Sequence, residues 1–138
     1  MFIDDDDYKV VIGEAALKTL SQSSSENVAN AEIEAIEEIS SYLRPVYDTE
    51  AIFSATGKAR NRLIVMYTVD IVLYHLTASL PQKMGIEIRK ERYERAINWL
   101  EGVQAGKVVP NLPLAVNNDG YTGFGTSYHS STRLRHDW

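Results

Sequence analysis

Side chains able to do chemistry are sparse in this sequence, and their spacing decides what they can do. Three histidines, His75, His129 and His136, are the natural candidates for metal ligands or proton carriers. Two ligands on one helix face need a His-x3-His or His-Glu-x2-His interval, and none of the three provides it. Cysteine is absent, which excludes a thiol nucleophile, a disulfide framework and any Cys-ligated zinc or iron–sulfur centre. Gly120, Gly123 and Gly125 cluster, but they neither follow a strand pattern nor open a helix, so they form no phosphate-binding loop. No serine sits in a Gly-x-Ser-x-Gly elbow. The expectation is a chain with no catalytic residues, no metal and no cofactor.

Two acidic features remain. Asp70 lies in the middle of the apolar run from Leu63 to Leu76, where a carboxylate must be paired, hydrogen-bonded or facing an opening. An acid–base pair with His75 is disfavoured, because helical positions five apart point about 140° away from each other. Asp70 is therefore expected to be a buried structural acid, with Arg44, Arg92 or Arg95 as its partner. The run Asp4, Asp5, Asp6 and Asp7 lacks the spaced ligands and the glycine of a calcium loop, and reads as solvated or partner-facing.

Positioning these groups falls to a chain of 138 residues, enough for one core. Its composition, 44% apolar and 24% charged, is that of a folded domain. The apolar run is too short for a bilayer, which needs roughly 20 such residues. The N-terminus has neither the basic region nor the apolar stretch of a signal peptide, so the expected setting is the cytoplasm in which the protein is made. Charge is distributed unevenly. Residues 1–50 carry 12 acidic and 3 basic side chains, residues 51–138 carry 7 and 11. Opposite ends of that kind suit head-to-tail contact between copies, with Asp4 to Asp7 and the pair Arg89 and Lys90 as candidate interface residues. The overall acidity, with a pI near 5.2, argues against free-standing DNA binding.

Hydrophobic periodicity predicts an all-α bundle of about four helices. A short helical segment spans residues 8–20, with Val11 and Ala15 inward and Gly13 weakening its middle. Ser23 and Glu26 form a capping box for a second helix, with Ala29, Ile33, Ile36 and Leu43 inside and Glu32, Glu34, Glu37 and Glu38 on the wet flanks until Pro45. Residues 46–58 read as a packed connection with one helical turn. A third helix, Ala59 to about Ser79, is apolar nearly all round and is expected at the centre of the core. After a turn at Pro81 and Gly85, a fourth spans Glu87 to Ala105, with Ile88, Tyr93, Ala96, Ile97, Trp99 and Leu100 inward, Arg89, Lys90, Arg92 and Arg95 wet, and Gly106 closing it. Residues 1–106 form the bundle and residues 107–138 an extended C-terminal arm. That arm is aromatic and basic-ended (Tyr121, Phe124, Tyr128, Arg133, Leu134, Arg135, Trp138), unlike a plain linker, and is expected to dock on a neighbouring chain.

Four segments together resemble the head-to-tail connector proteins (adaptor or head-completion proteins) of tailed phages, including the Mu-like prophage group. They are FIDDDDY at 2–8, SYLRPVYDTEAIF at 41–53, RNRLIVMYTVDIVLYHL at 60–76 and RYERAINWLEGVQAGKVVPNLP at 92–113. The resemblance covers roughly residues 2–114. It implies a non-enzymatic virion protein at the head-to-tail junction, joining a ring, typically twelvefold, beneath the portal. The ring extends the channel through which genomic DNA passes without sequence recognition, and it offers a platform to tail components. Implied partners are further copies of the chain, the portal protein and tail or tail-completion proteins, with no membrane. Two other readings compete: a cytoplasmic regulatory module that binds one protein without forming a ring, and an enzyme using Asp70 and His75.

Overall fold

In the computed structural model, residues 1–23, 25–77 and 86–116 are described. Among them the chain forms helices α1 (Asp5–Ser23), α2 (Ser25–Leu43), α3 (Thr49–Ser54), α4 (Arg62–Leu76) and α5 (Ile86–Gln104), with a three-ten turn at Gly57–Ala59 between α3 and α4. Helices dominate, as the periodicity predicts. The turn at Pro81 and Gly85 and the aromatic arm from residue 117 onward lie outside the described residues, as do His129 and His136.

Helices α1, α3 and α4 begin where a side chain satisfies their free amides. At α1, Asp4 and Asp7 cap each other reciprocally: Asp7 N–H donates to Asp4 Oδ1 at 3.1 Å and Asp4 N–H to Asp7 Oδ2 at 3.0 Å. This moves the start of the first helix to Asp5, three residues ahead of the expected one. Asp48 caps α3 by accepting from Ala51 N–H, and Asn61 caps α4 by accepting from Leu63 and Ile64 N–H. Asn61 also explains why α4 starts later than Ala59. Gly13 and Gly106 shape helix ends through backbone conformations that side chains resist. Gly13 (φ 82°, ψ 166°) breaks α1 into two helical pieces. Gly106 (φ 79°) ends α5, where Gly106 N–H donates to Val103 O and Lys107 N–H to Gly102 O.

The core forms around α4, whose residues Ile64, Val65, Val69, Ile71, Val72, Leu73 and Leu76 are all buried. Helix α5 runs antiparallel beside it, with Trp99 packed on Tyr67 and Tyr93 stacked on Tyr74 at 4.0 Å. Helix α2 packs along α4 on another side, bringing Glu38 to His75 at the far end of α4. Past Gly106 the chain turns back over the bundle. Leu112 is buried, Leu114 forms a β-bridge with Tyr47, and Ala115 N–H donates to Val46 O at 2.9 Å.

Several inward and outward assignments are corrected. On α2 the buried stripe is Ala31, Glu32, Ala35, Ile39 and Leu43, while Ile33 is 63% exposed. Alanines take the contact because a small side chain lets two helix backbones approach closely. Ala15 on α1 is exposed, and Leu17 is buried instead. Leu63 and Ile88 face outward, and Arg89, expected on a wet flank, is buried.

Candidate functional site

Three clusters of ionisable side chains tie the helices together. The first is built on the acidic N-terminus. Arg60, just before α4, places its guanidinium where the chain's first residues meet α1. Its Nη1 donates to Phe2 O at 2.6 Å and to Asp7 Oδ2 at 2.5 Å, its Nη2 reaches Asp7 Oδ1 and Asp4 Oδ2 at 3.4 Å, and its Nε donates to Gly57 O. Burial pushes the Asp7 carboxyl up, but the Arg60 guanidinium and the hydrogen bonds at Asp4 outweigh it and hold it below its ordinary value. The same pairing raises Arg60. Asp7 is thus spent inside the fold and is withdrawn from the candidate interface. Asp5 and Asp6 remain exposed, and Asp4 is half-exposed with one oxygen on Arg60. Nearby, buried Tyr8 donates its hydroxyl to Glu32 at 2.6 Å, which is why an α2 glutamate points inward. Burial raises both groups, the more so for Tyr8, whose phenol is next to an acid.

The second cluster contains Asp70, which is 2% exposed. Of its three candidate partners, Arg92 makes the pair, donating from Nε to Asp70 Oδ1 at 2.6 Å. Arg44 pairs with Glu37 instead, and Arg95 with Glu91. Burial raises the Asp70 carboxyl above its ordinary value despite Arg92, with Arg89 and Arg95 pulling the other way. Arg89 completes the cluster. It is 7% exposed, and its Nε and Nη1 have no hydrogen-bond partner. Burial and the neighbouring Arg92 lower its pKa, with Asp70 opposing them.

The third cluster joins α2, α4 and α5. Glu38 receives the Tyr93 hydroxyl at 2.5 Å and lies 2.9 Å from His75 Nε2, while Glu34 lies 3.8 Å from His75 Nδ1. His75 and Asp70 therefore engage different partners on different helices, and the structure does not bring them together as an acid and a base. Among the described residues no group of His, Cys, Asp and Glu is arranged to hold a metal ion, and no helix is long and apolar enough to cross a membrane.

Sequence reasoning missed Arg89 as a buried group, although its position carries the signal. Residues 89, 93, 96, 100 and 103 alternate steps of four and three along the buried stripe of α5. The aspartates at 4 and 7 likewise stand at capping-box spacing.

With this geometry in place, comparison with known protein families adds a decisive match: residues 2–122 fit the family described as Bacteriophage Mu, Gp36. The chain belongs to that family. It is a Mu-like phage protein, and the match spans the Arg60–Asp7 cluster, the central helix and α5 together. No curated protein and no solved structure matches the chain.

Proposed function

We propose that this Gp36-family chain is a structural virion protein, a head-to-tail connector that assembles as a ring beneath the portal. There it extends the DNA channel, gives the tail a docking platform and carries out no chemistry of its own. The observation that carries this reading is the ordered set of segments FIDDDDY, SYLRPVYDTEAIF, RNRLIVMYTVDIVLYHL and RYERAINWLEGVQAGKVVPNLP, all inside the span that fits the Mu family. The use of buried charge supports it. Asp7, Glu32 and Asp70 are each held by a partner on another segment, Arg60, Tyr8 and Arg92, which is what a rigid building block needs.

Native mass of the purified protein, alone and mixed with the portal protein of the same phage, tests the proposal. A ring-sized complex of about a dozen copies on the portal is the expected result. A monomer or dimer that ignores the portal overturns it and favours a regulatory module binding one partner.

A further inference from the structure

We infer that the open cavity between the N-terminal part of the chain and the first half of α2 receives a lysine or arginine side chain of a partner protein, its cationic head on Glu32. The cavity holds about 270 Å³. Its walls are apolar, from Ile3, Leu17, Val28 and Ala29. Buried Glu32 and Tyr8 line it more deeply, with exposed Asp5 and Met1 at the rim. Glu32 is only 5% exposed. Its Oε1 accepts the Tyr8 hydroxyl, and no donor among the described residues reaches Oε2. The unpaired nitrogens of Arg89 are sealed in the protein. Oε2 is unpaired without being sealed, and the cavity that Glu32 lines is its opening.

A carboxylate oxygen deep in an apolar-walled space selects a cation carried on an aliphatic stem. The stem covers the walls, and the head brings the donors and the charge that the acid lacks. Asp5 at the rim strengthens the negative field. The chain's own cations are engaged elsewhere: Lys9 pairs with Asp6 and Arg60 with Asp7, while the N-terminal amine acts on Glu32 through space without an ion pair between them. Burial raises the Glu32 carboxyl, the Tyr8 hydrogen bond and the N-terminal amine lower it, and Asp5 raises it again. A cation on Oε2 offsets the effect of burial. Size points to a single side chain, because small-molecule sites enclose about 300–1,000 Å³ and this cavity falls short of that range. The inference adds a docking position to the connector reading. It rests on that reading only for which protein supplies the side chain.

The test titrates n-butylammonium, n-propylguanidinium and, as a neutral counterpart, n-butanol into the full chain, reading the methyl resonances of Ile3, Leu17 and Val28. The two cations reproduce the ends of lysine and arginine. At least one is expected to give saturable shifts, with n-butanol about tenfold weaker or more, the effect of one charge-assisted contact. Glu32→Gln still accepts from Tyr8 and is expected to weaken cation binding about tenfold or more. Ala29→Phe keeps the acid but fills the space, and is expected to abolish binding without lowering the melting temperature. In the natural chain, cation affinity should fall as the pH drops through the raised Glu32 value, since the protonated acid has no charge. Sedimentation of the same proteins, alone and with the portal protein of the same phage, reads the partner. Both substitutions are expected to weaken association with a further copy or with the portal about tenfold. Absence of saturable shifts with either cation, n-butanol binding as tightly as the cations, or Glu32→Gln binding them like the natural chain overturns the inference. Cation binding in a chain whose assembly both variants leave within about twofold of the natural one overturns the protein partner and makes the ligand a free amine. If the natural chain assembles with neither itself nor the portal, the connector reading falls, and the titrations decide the cavity by themselves.

Discussion

Two buried aspartates, each paired with an arginine, show how differently one fold can treat the same ion pair. Around Asp7 the accounts of donors and acceptors close: Arg60 uses Nε, Nη1 and Nη2 on two carboxylates and two backbone carbonyls, and Asp7 also accepts the Asp4 amide. Around Asp70 they do not, since Arg92 reaches it through Nε while Arg89 keeps two buried donors unpaired. The carboxyl pKa values move accordingly, Asp7 downward and Asp70 upward. A saturated pair is a finished lock between the N-terminal segment and the start of α4. The second cluster leaves two buried donors of Arg89 without acceptors, so it ties its helices together less completely.

The sharpest way to break the comparison is to cut the saturated lock. Arg60→Ala leaves Asp7 in a buried site with only the exposed Arg62, 3.6 Å away, as a cationic neighbour, and removes the guanidinium from the carbonyls of Phe2 and Gly57, so a loss of about 3–5 kcal/mol is expected in urea unfolding. Arg60→Lys keeps a charge but not the fork of donors, and should recover only part of it. A loss under about 1 kcal/mol for Arg60→Ala would mean that the N-terminal segment contributes little to the fold. Next in size comes Asp70→Asn. An amide can still accept from Arg92 but leaves two neighbouring guanidinium groups without their counter-charge, and about 1–3 kcal/mol should be lost. Arg89→Met acts in the opposite sense. Removing an unpaired buried charge should leave the isolated chain as stable as before or more stable by about 1 kcal/mol, read from the same urea midpoints. A clear loss would show that Arg89 is already satisfied within its own chain.

Much of this architecture is legible in the sequence, and the misses share a cause. The all-α class, α4 at the centre and the burial of Asp70 follow from an apolar stretch interrupted by one acid, and the structure selects Arg92 from its three candidate partners. Hydrophobicity places Ile33 inside, whereas close helix packing on α2 favours the smaller Ala31 and Ala35. Charge alone predicts an outer position for Asp7 and Arg89, yet both are buried. Asp7 is held inside by Arg60, 53 positions away, a pairing that local spacing cannot reveal. Arg89 needed only the phase of its own helix. Of the candidate interface residues, Asp4, Asp5, Asp6 and Lys90 are exposed, while Asp7 and Arg89 are buried.

The smallest expected effect lies in the pH dependence, and it separates the two aspartates by sign. Both have an ordinary pKa of 3.8. Folding lowers that of Asp7, so its contribution is fully present above pH 3.8 and is lost as the pH falls from there through the lower folded value. Folding raises that of Asp70, so the folded state takes up a proton first, and stability grows as the pH falls through the raised value toward 3.8. Each tenfold difference in proton affinity between folded and unfolded states is worth about 1.4 kcal/mol. Urea midpoints from neutral pH downward, for the natural chain, Asp7→Asn and Asp70→Asn, isolate the two contributions, because the other carboxylates cancel in the differences. The advantage of the natural chain over Asp7→Asn should shrink below pH 3.8. Its advantage over Asp70→Asn should widen as the pH approaches 3.8 from above. Difference curves that bend the same way would show that Arg92 satisfies Asp70 as fully as Arg60 satisfies Asp7, and the contrast between lock and open cluster would disappear.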